Sequence, residues 1–295
     1  MRIAAQIGVK DEVDLIGPCL AHLRGQGVGR IWVQDMGSTD GTLEALHADG
    51  SADLVVVKNG IAATDADIAA AMLGAVRDAA QWGADWLVMI DADEFILAPG
   101  GDLAAALSGI AEPLAMMPRY NVALGPRGLT MPLPPAPADY AGTWMYARAD
   151  KWYRKKLEAD PALAWLRFVP LPKAAVRPAM LGGVVHGMHD AHGPDGTPLA
   201  RAERVPLVVA HVPLSDYARF ARKVDNIAEV FRTHAADTPG NFGWHWKRWM
   251  ASAEAGALRA EYDASCLDQA ELETLRADGT LMSATELLDG AKAHP

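Results

Sequence analysis

Three carboxylates within four positions, Asp91, Asp93 and Glu94, follow an apolar run from Trp86 to Ile90. Acids this close repel one another unless a cation or hydrogen-bond donors compensate. In extended backbone, residues two apart face the same way, so Asp91 and Asp93 could hold one cation between them. Hard oxygen ligands select Mg²⁺ or Mn²⁺, ions that commonly bridge one or two carboxylates to substrate phosphates. The plainer alternative is a solvated acidic turn. Two more acids follow apolar runs: Glu12 after Ile3 to Val9, and Asp35 after Arg30 to Gln34. Glu12 either walls the same pocket or favours the positive end of a following helix. Asp40, inside the turn-rich stretch 36–42, either contacts a ligand or caps the next helix.

The elements that must position these acids are legible from periodicity. Short apolar runs predict strands at Ile3 to Val9, Arg30 to Gln34, Asp53 to Lys58 and Trp86 to Ile90. Helical spacing lies between them at Val13 to Gln26, Leu43 to His47, and from Thr64 or Asp65 to Trp82. Unbroken alternation argues an α/β fold with a mostly parallel sheet flanked by helices, and ligands at the carboxyl ends of its strands. Farther on, a short helix is expected over 102–110 and a strand at Leu114 to Tyr120. The proline- and glycine-rich 125–137 reads as a long loop. Strands are also expected at Ala162 to Val169, Lys173 to Arg177 and Val205 to Val212, the last carrying His211. From Ser215 to His234 a helix shows one apolar stripe (Tyr217, Phe220, Val224, Ile227, Phe231), with Arg219, Arg222 and Lys223 off it. The segment from Trp244 to Asp278 reads as helical. The change of character near Ser215 divides the chain into 1–214 and a helical C-terminal region, 215–295, packed on it.

With 295 residues the chain can bury a sizeable core. A formal net charge of −10 argues against a general nucleic-acid binder, because neutralising phosphates needs basic surface. It does not exclude a nucleotide substrate, since a metal supplies positive charge locally. The two cysteines, Cys19 and Cys266, have no metal-ligand spacing and suit a reducing cytoplasm. No run reaches the roughly 18 apolar residues of a membrane span, which leaves peripheral membrane contact open.

The stretch Asp35-Met36-Gly37-Ser38-Thr39-Asp40-Gly41-Thr42, and some fifty residues later Asp91-Ala92-Asp93-Glu94-Phe95, resembles the GT-A-fold glycosyltransferases, family 2 and its neighbours. Lys10-Asp11-Glu12 is similar to the lysine-asparagine-glutamate that ends their first strand. His211 with Ser215 and the helix after it resembles their late histidine, serine and lysine-bearing helix. The likeness is good over 3–97, thin over 98–183, moderate over 184–225 and absent beyond.

The resemblance implies a Rossmann-like GT-A fold and transfer of a sugar from a nucleotide sugar (UDP-, GDP- or dTDP-linked) to a glycan or lipid-linked hydroxyl acceptor. It implies Mn²⁺ or Mg²⁺ held by Asp93, with Asp91 and His211. Donor contacts are expected from Glu12, Asp35, Ser38, Asp40 and Asp91; independently of the resemblance, Lys173 and Arg177 alternate on one face of a strand, where they either meet a diphosphate or are surface cations. An inverting course also needs a base near the acceptor hydroxyl. The family's usual glutamate-aspartate pair is missing, so Asp190 is the candidate and Glu94 the second. A cytoplasmic place, at the inner face of the membrane in surface-polysaccharide synthesis, fits this reading. The competing readings are a non-catalytic glycan- or nucleotide-binding subunit and a sugar nucleotidyltransferase. The latter is disfavoured because Lys10-Asp11-Glu12 stands where its glycine-rich basic signature would lie. The tryptophans 144, 152, 165, 244, 246 and 249 are expected to pack in the core.

Overall fold

A computed structural model describes residues 1–60, 65–148, 153–160, 163–233 and 243–292. The expected Thr64 cap, Trp152 and the break at 238–241 lie outside the described residues. The first 97 residues fold as strand and helix in turn: β1 (Ile3–Val9), α1 (Val13–Gly25), β2 (Val28–Asp35), α2 (Thr42–Asp49), β3 (Leu54–Lys58), α3 (Asp65–Trp82), β4 (Trp86–Asp91) and β5 (Glu94–Leu97). Alternation of side chains along each strand explains the layers. Ile3, Ala5, Ile7 and Val9 of β1, with Trp86, Val88 and Ile90 of β4, pack against Ile16, Leu20 and Leu23 of α1. Ala4, Leu87 and Met89 face the other way, onto Met72, Val76 and Ala79 of α3. Strands covered on both faces read as continuous apolar runs, which is what the sequence shows.

The middle of the chain supplies α4 (Leu103–Ser108), β6 (Leu114–Met117), β7 (Arg119–Asn121), the small hairpin β8 (Leu124–Gly125) and β9 (Gly128–Leu129), and β10 (Trp144–Tyr146). Then come α5 (Tyr153–Ala159), β11 (Lys173–Val176), the pair β12 (Gly183–Val184) and β13 (Ala191–His192), β14 (Arg201–Ala202) and β15 (Val208–His211). The C-terminal part contains α6 (Tyr217–Thr233), α7 (Trp244–Glu254), α8 (Leu258–Asp263), α9 (Gln269–Ala277), β16 (Leu281–Ser283) and α10 (Ala284–Lys292). The seven-stranded main sheet has the order β14-β6-β11-β4-β1-β2-β3. Only β11 runs against its neighbours, pairing antiparallel with both β4 and β6. A second sheet, β5-β15-β7, stands at the carboxyl end of β4.

Three expectations are corrected and a fourth is refined. Leu114 to Tyr120 is two strands, divided at Pro118, which has no N–H to donate to a ladder. Residues 162–169 form no described strand: a 3₁₀ turn at Trp165–Arg167 sinks Trp165 and Leu166 into a third core. The loop 125–137 lies at the surface as expected but is not plain coil: Gly128–Leu129 pairs with Leu124–Gly125, and Met131, only 2% exposed, anchors it. The helical segment after Trp244 breaks into α7, α8 and α9, and Gly256 takes φ +68°, a conformation that interrupts a helix cheaply only at glycine.

Candidate functional site

The carboxyl ends of β1, β2 and β4 carry the acids, and two segments interlock there. Asp11, at φ +53°, accepts from the Thr39 N–H at 2.6 Å through Oδ1, and Lys10 reaches its Oδ2 at 2.7 Å. Ser38 Oγ accepts from the Asp11 N–H at 2.9 Å. Asp35 is fully buried, and its carboxylate accepts from the N–H groups of Gly37 and Ser38 at 3.2–3.3 Å. Asp40 accepts from the Thr42 N–H at 2.9 Å and the Val13 N–H at 3.0 Å, tying the starts of α1 and α2 together. In this structure these polar contacts of Asp35, Ser38 and Asp40 shape the turn-rich stretch 36–42, a strap across the ends of β1 and β2.

The chain turns at Ala92 and Asp93 between β4 and β5. The extended geometry that would aim Asp91 and Asp93 at one cation is lost, and each carboxylate meets its own cations. Asp91 Oδ2 accepts from Lys173 Nζ at 2.7 Å; the lysine side chain is fully buried, while that of Asp91 stays 41% exposed. Glu94 is fully buried, with Oε1 2.5 Å from Arg119 Nη1 and Oε2 3.3 Å from Lys173 Nζ. Glu94 Oε2 also accepts from the Asp91 N–H at 2.9 Å. Burial opposes ionisation of Glu94, but Lys173 and Arg119 outweigh it and hold the carboxyl below its ordinary value.

On the other side, α6 lays Arg219 and Lys223 over Glu12 and Asp93. Arg219 Nη2 is 2.6 Å from Glu12 Oε2, and Lys223 Nζ is 2.9 Å from Glu12 Oε1 and 2.5 Å from Asp93 Oδ2. Burial works against the Asp93 charge too, yet Lys223, His211 and Arg219 hold its carboxyl well below the usual carboxylate range. Residues four apart share a helix face. That spacing was the available signal for Arg219 and Lys223, and an off-stripe position usually means solvent instead. Arg119 and Asn121 had no sequence signal.

Strand register places His211. It stands opposite Glu94 of β5 and Asn121 of β7. Asn121 donates through Nδ2 to the carbonyls of Leu166 and Phe168, at 3.0 and 2.7 Å, which fixes its Oδ1 as the acceptor for His211 Nδ1 at 2.7 Å. His211 Nδ1 therefore carries hydrogen, and in the neutral ring Nε2 keeps its lone pair. Burial pushes the imidazole below its ordinary value in spite of Asp93. Nε2 lies 3.6 Å from Asp93 Oδ2. Two electron-pair donors thus face each other at the end of β4. Trp165 backs His211 edge-on at 6.4 Å, and Trp249, 2% exposed, packs on Trp165 at 5.1 Å.

The three-ligand set Asp91, Asp93 and His211 is not assembled: no group of three or more His, Cys, Asp or Glu among the described residues is placed to hold an ion together. Asp91 is turned to Lys173 instead. The remaining pair, Asp93 and His211, offers one carboxylate and one imidazole lone pair, a donor set that fits a divalent cation. Asp190 pairs with neither cluster's cations: its Oδ2 is 3.1 Å from Arg201 Nη2 and its Oδ1 accepts from the Ala191 N–H at 2.8 Å.

No protein-family model matches the chain, and no curated protein matches it either. Solved structures do. Residues 1–349 of S. aureus TarS match at 12% identity over 90% of each chain, TM-score 0.38. Glucosyl-3-phosphoglycerate synthase from Mycobacterium tuberculosis, crystallised with Mn²⁺, UDP-glucose and phosphoglyceric acid, matches at 19% identity over 62% of this chain and 59% of its own, TM-score 0.33. The functional reading that follows is argued from the site's own residues.

Proposed function

We propose that the protein is a metal-dependent GT-A-type glycosyltransferase moving a sugar from a nucleotide sugar to an acceptor hydroxyl. The observation that carries this reading is the Asp93–His211 pair: two electron-pair donors 3.6 Å apart at the end of a central strand, with the imidazole tautomer fixed by Asn121. Asp93 and His211 would hold the ion, and a carboxylate with an imidazole suits Mn²⁺ better than Mg²⁺. When bound, the ion supplies Lewis-acid neutralisation of the charge growing on the diphosphate leaving group.

The charge inventory supports the same reading. Glu12, Asp91, Asp93 and Glu94 are matched by Lys173, Arg119, Arg219 and Lys223, all in ion pairs. An incoming diphosphate therefore needs an added cation. Asp91, half-open and oriented by Lys173, is the carboxylate left to meet the donor ribose. Lys173 is fully buried and acts through Asp91, not on the diphosphate directly. Glu12, Asp35, Ser38 and Asp40 serve the donor by holding the strap and α6 in place. Inversion, the course expected from the resemblance, is read from the product anomer by NMR. Work on a surface polysaccharide or lipid-linked acceptor belongs to the same proposal; no described helix is long and apolar enough to cross a membrane.

A thermal-shift screen of UDP, GDP, dTDP and their sugars, with and without Mn²⁺, tests the reading through linkage. Stabilisation by one nucleotide class that depends on Mn²⁺ is expected. A melting temperature unmoved by every nucleotide, with metal or without, would sink it.

A further inference from the structure

The middle of the chain leaves a small open cleft beside the Asp91 cluster, and its walls are mostly apolar. Met116, Pro118, Val169, Pro170 and Pro172 form much of the lining, with Tyr120 among them, and the volume is about 220 Å³. That is below the range of drug-sized ligand sites. Proline has no N–H, so a ligand laid against Pro118, Pro170 and Pro172 strands no backbone donor there. Two of the carbonyls are also taken. Pro118 accepts from the Val209 N–H at 2.8 Å, and Pro172 from His189 Nδ1 at 2.8 Å. A ligand that makes no hydrogen bonds therefore loses little on this wall, whereas sugar hydroxyls would give up water for it.

The walls are held from behind. Asn121, next to Tyr120, donates to the Phe168 carbonyl at 2.7 Å and so anchors the chain just before Val169. Lys173, next to Pro172, is fully buried and donates to Asp91 at 2.7 Å and to the Gly187 carbonyl at 3.0 Å. Arg119 joins the cleft to the site: it lines the cleft, and its Nη1 pairs with Glu94 Oε1. The other oxygen of Glu94 accepts from the Asp91 N–H at 2.9 Å. The charge of Arg119 is thus matched by Glu94. Glu203, the remaining charged lining residue, has its side chain 69% exposed and lies 3.9 Å from Arg201 Nε. A hydrated carboxylate at the mouth tolerates an uncharged head group and repels an anionic one. Leu171, between two lining prolines, is 64% exposed, so apolar surface continues from the cleft onto its rim.

Resting on the glycosyltransferase reading, we propose that the Pro118–Val169–Pro170–Pro172 cleft seats the alkyl or isoprenoid chain of a neutral glycolipid acceptor, with Leu171 extending the contact at the rim. Because Arg119 belongs to both the cleft and the Asp91 cluster, a chain held there leaves its attached sugar beside the end of β4.

The probe is octyl β-glucoside below its micelle-forming concentration, titrated into the full chain without nucleotide or metal. Methyl β-glucoside and octanoate are the controls. Calorimetry should show octyl glucoside binding at least about tenfold tighter than methyl glucoside, a ratio that burying about two methylenes already supplies. A negative heat-capacity change should mark the apolar burial, and octanoate should bind more weakly. Val169→Asp, which puts a charge in the cleft, should weaken octyl glucoside at least about tenfold. Leu171→Ser, at a position too exposed to endanger folding, should weaken it about threefold. Both variants should keep the nucleotide thermal shift. With Mn²⁺ and the donor found by that shift, octyl glucoside should raise donor consumption in the wild type and not in Val169→Asp.

Equal binding of octyl and methyl glucoside, octanoate binding as tightly as octyl glucoside, or an affinity that neither substitution alters would overturn the proposal. So would octyl glucoside that fills the cleft without changing donor consumption. Binding to phosphatidylcholine vesicles that Leu171→Ser abolishes, with no binding of monomeric octyl glucoside, would make the rim a membrane contact instead. The glycosyltransferase reading fails separately. A protein that binds octyl glucoside as expected but answers to no nucleotide sugar defeats that reading and the acceptor role, while one that answers to a nucleotide sugar but not to octyl glucoside defeats this proposal alone.

Discussion

Two charge clusters flank the end of β4, one around Asp91 and one around Asp93, and each contains two acids and two bases. Around Asp91 the partners come from neighbouring strands: Glu94 of β5, Arg119 of β7 and Lys173 of β11. Around Asp93 the bases come from one helix, α6, which reaches across to Glu12 at the end of β1. The first cluster is fixed by sheet register, yet its Asp91 is open to solvent. The second hangs on a helix, and its Asp93 is 4% exposed, with the His211 lone pair facing it. The difference separates scaffold from exchangeable site. Lys173, with its side chain fully buried, has no room to swing off its carboxylates, whereas Lys223, partly exposed on α6, can leave Asp93 when another cation arrives.

The comparison can be broken at several points. The largest effect on turnover is expected from Asp93→Ala, about 10³-fold in kcat/KM with the Mn²⁺-dependent nucleotide shift lost. If Asp91→Ala abolished Mn²⁺-dependent nucleotide binding and Asp93→Ala did not, the two clusters would have exchanged roles. The largest effect on stability is expected at Glu94. Glu94→Ala leaves Arg119 and Lys173 buried without their shared anion, at a cost of about 3–5 kcal/mol in denaturant unfolding. Normal stability in that variant would show that the Asp91 cluster is no scaffold.

Lys223→Met sharpens the contrast from the other side. Removing the ammonium that sits on Asp93 should tighten Mn²⁺ binding in the absence of nucleotide about tenfold, or 1.4 kcal/mol, by calorimetry. Unchanged or weaker Mn²⁺ affinity would mean that Lys223 supports the cation site and does not compete for it.

A smaller effect concerns pH. His22, His189 and His211 all have folded pKa values lowered first by burial. The unfolded chain, with histidines near about 6.5, binds more protons than the folded one below that value. Stability from these groups is therefore present above about pH 6.5 and is lost as pH falls toward the folded values, about 4 for His189. The melting temperature should drop between pH 7 and pH 5, and His189→Gln should flatten part of that slope. The smallest effect is Asp40→Ala, which removes the tie between α1 and α2 and should cost about 1 kcal/mol.

How much of this could be read in the sequence follows from the range of the interactions. Trp86 to Ile90 and Ile3 to Val9 are buried on both faces, so continuous apolar runs mark them, and both form strands within a residue of the expected ends. Asp91 and Asp93 stand out in the sequence because they follow an apolar run, and His211 because it resembles the family's late histidine. Their division between two clusters was hidden, since it depends on a two-residue turn at Ala92 and Asp93 that composition does not announce. Arg219 and Lys223 look like a solvated helix face until α6 is docked on β1 and β4, more than a hundred residues away in sequence. The pairing of β16 with β10 is equally long-range, and the short runs Leu281–Ser283 and Trp144–Tyr146 carry no periodic signal of it. Local periodicity therefore reports the layers, while the ion pairs of the site are set by tertiary contact.

The central claim is that Asp93 and the Nε2 of His211 together hold the cation that receives the diphosphate. Electron spin-echo measurements on Mn²⁺ with the nucleotide identified by the thermal-shift screen test it most directly. The account predicts a nitrogen coupling from one coordinated imidazole, absent in His211→Ala and retained in His189→Gln. Tightly bound Mn²⁺ with no imidazole coupling in the wild-type protein would contradict it.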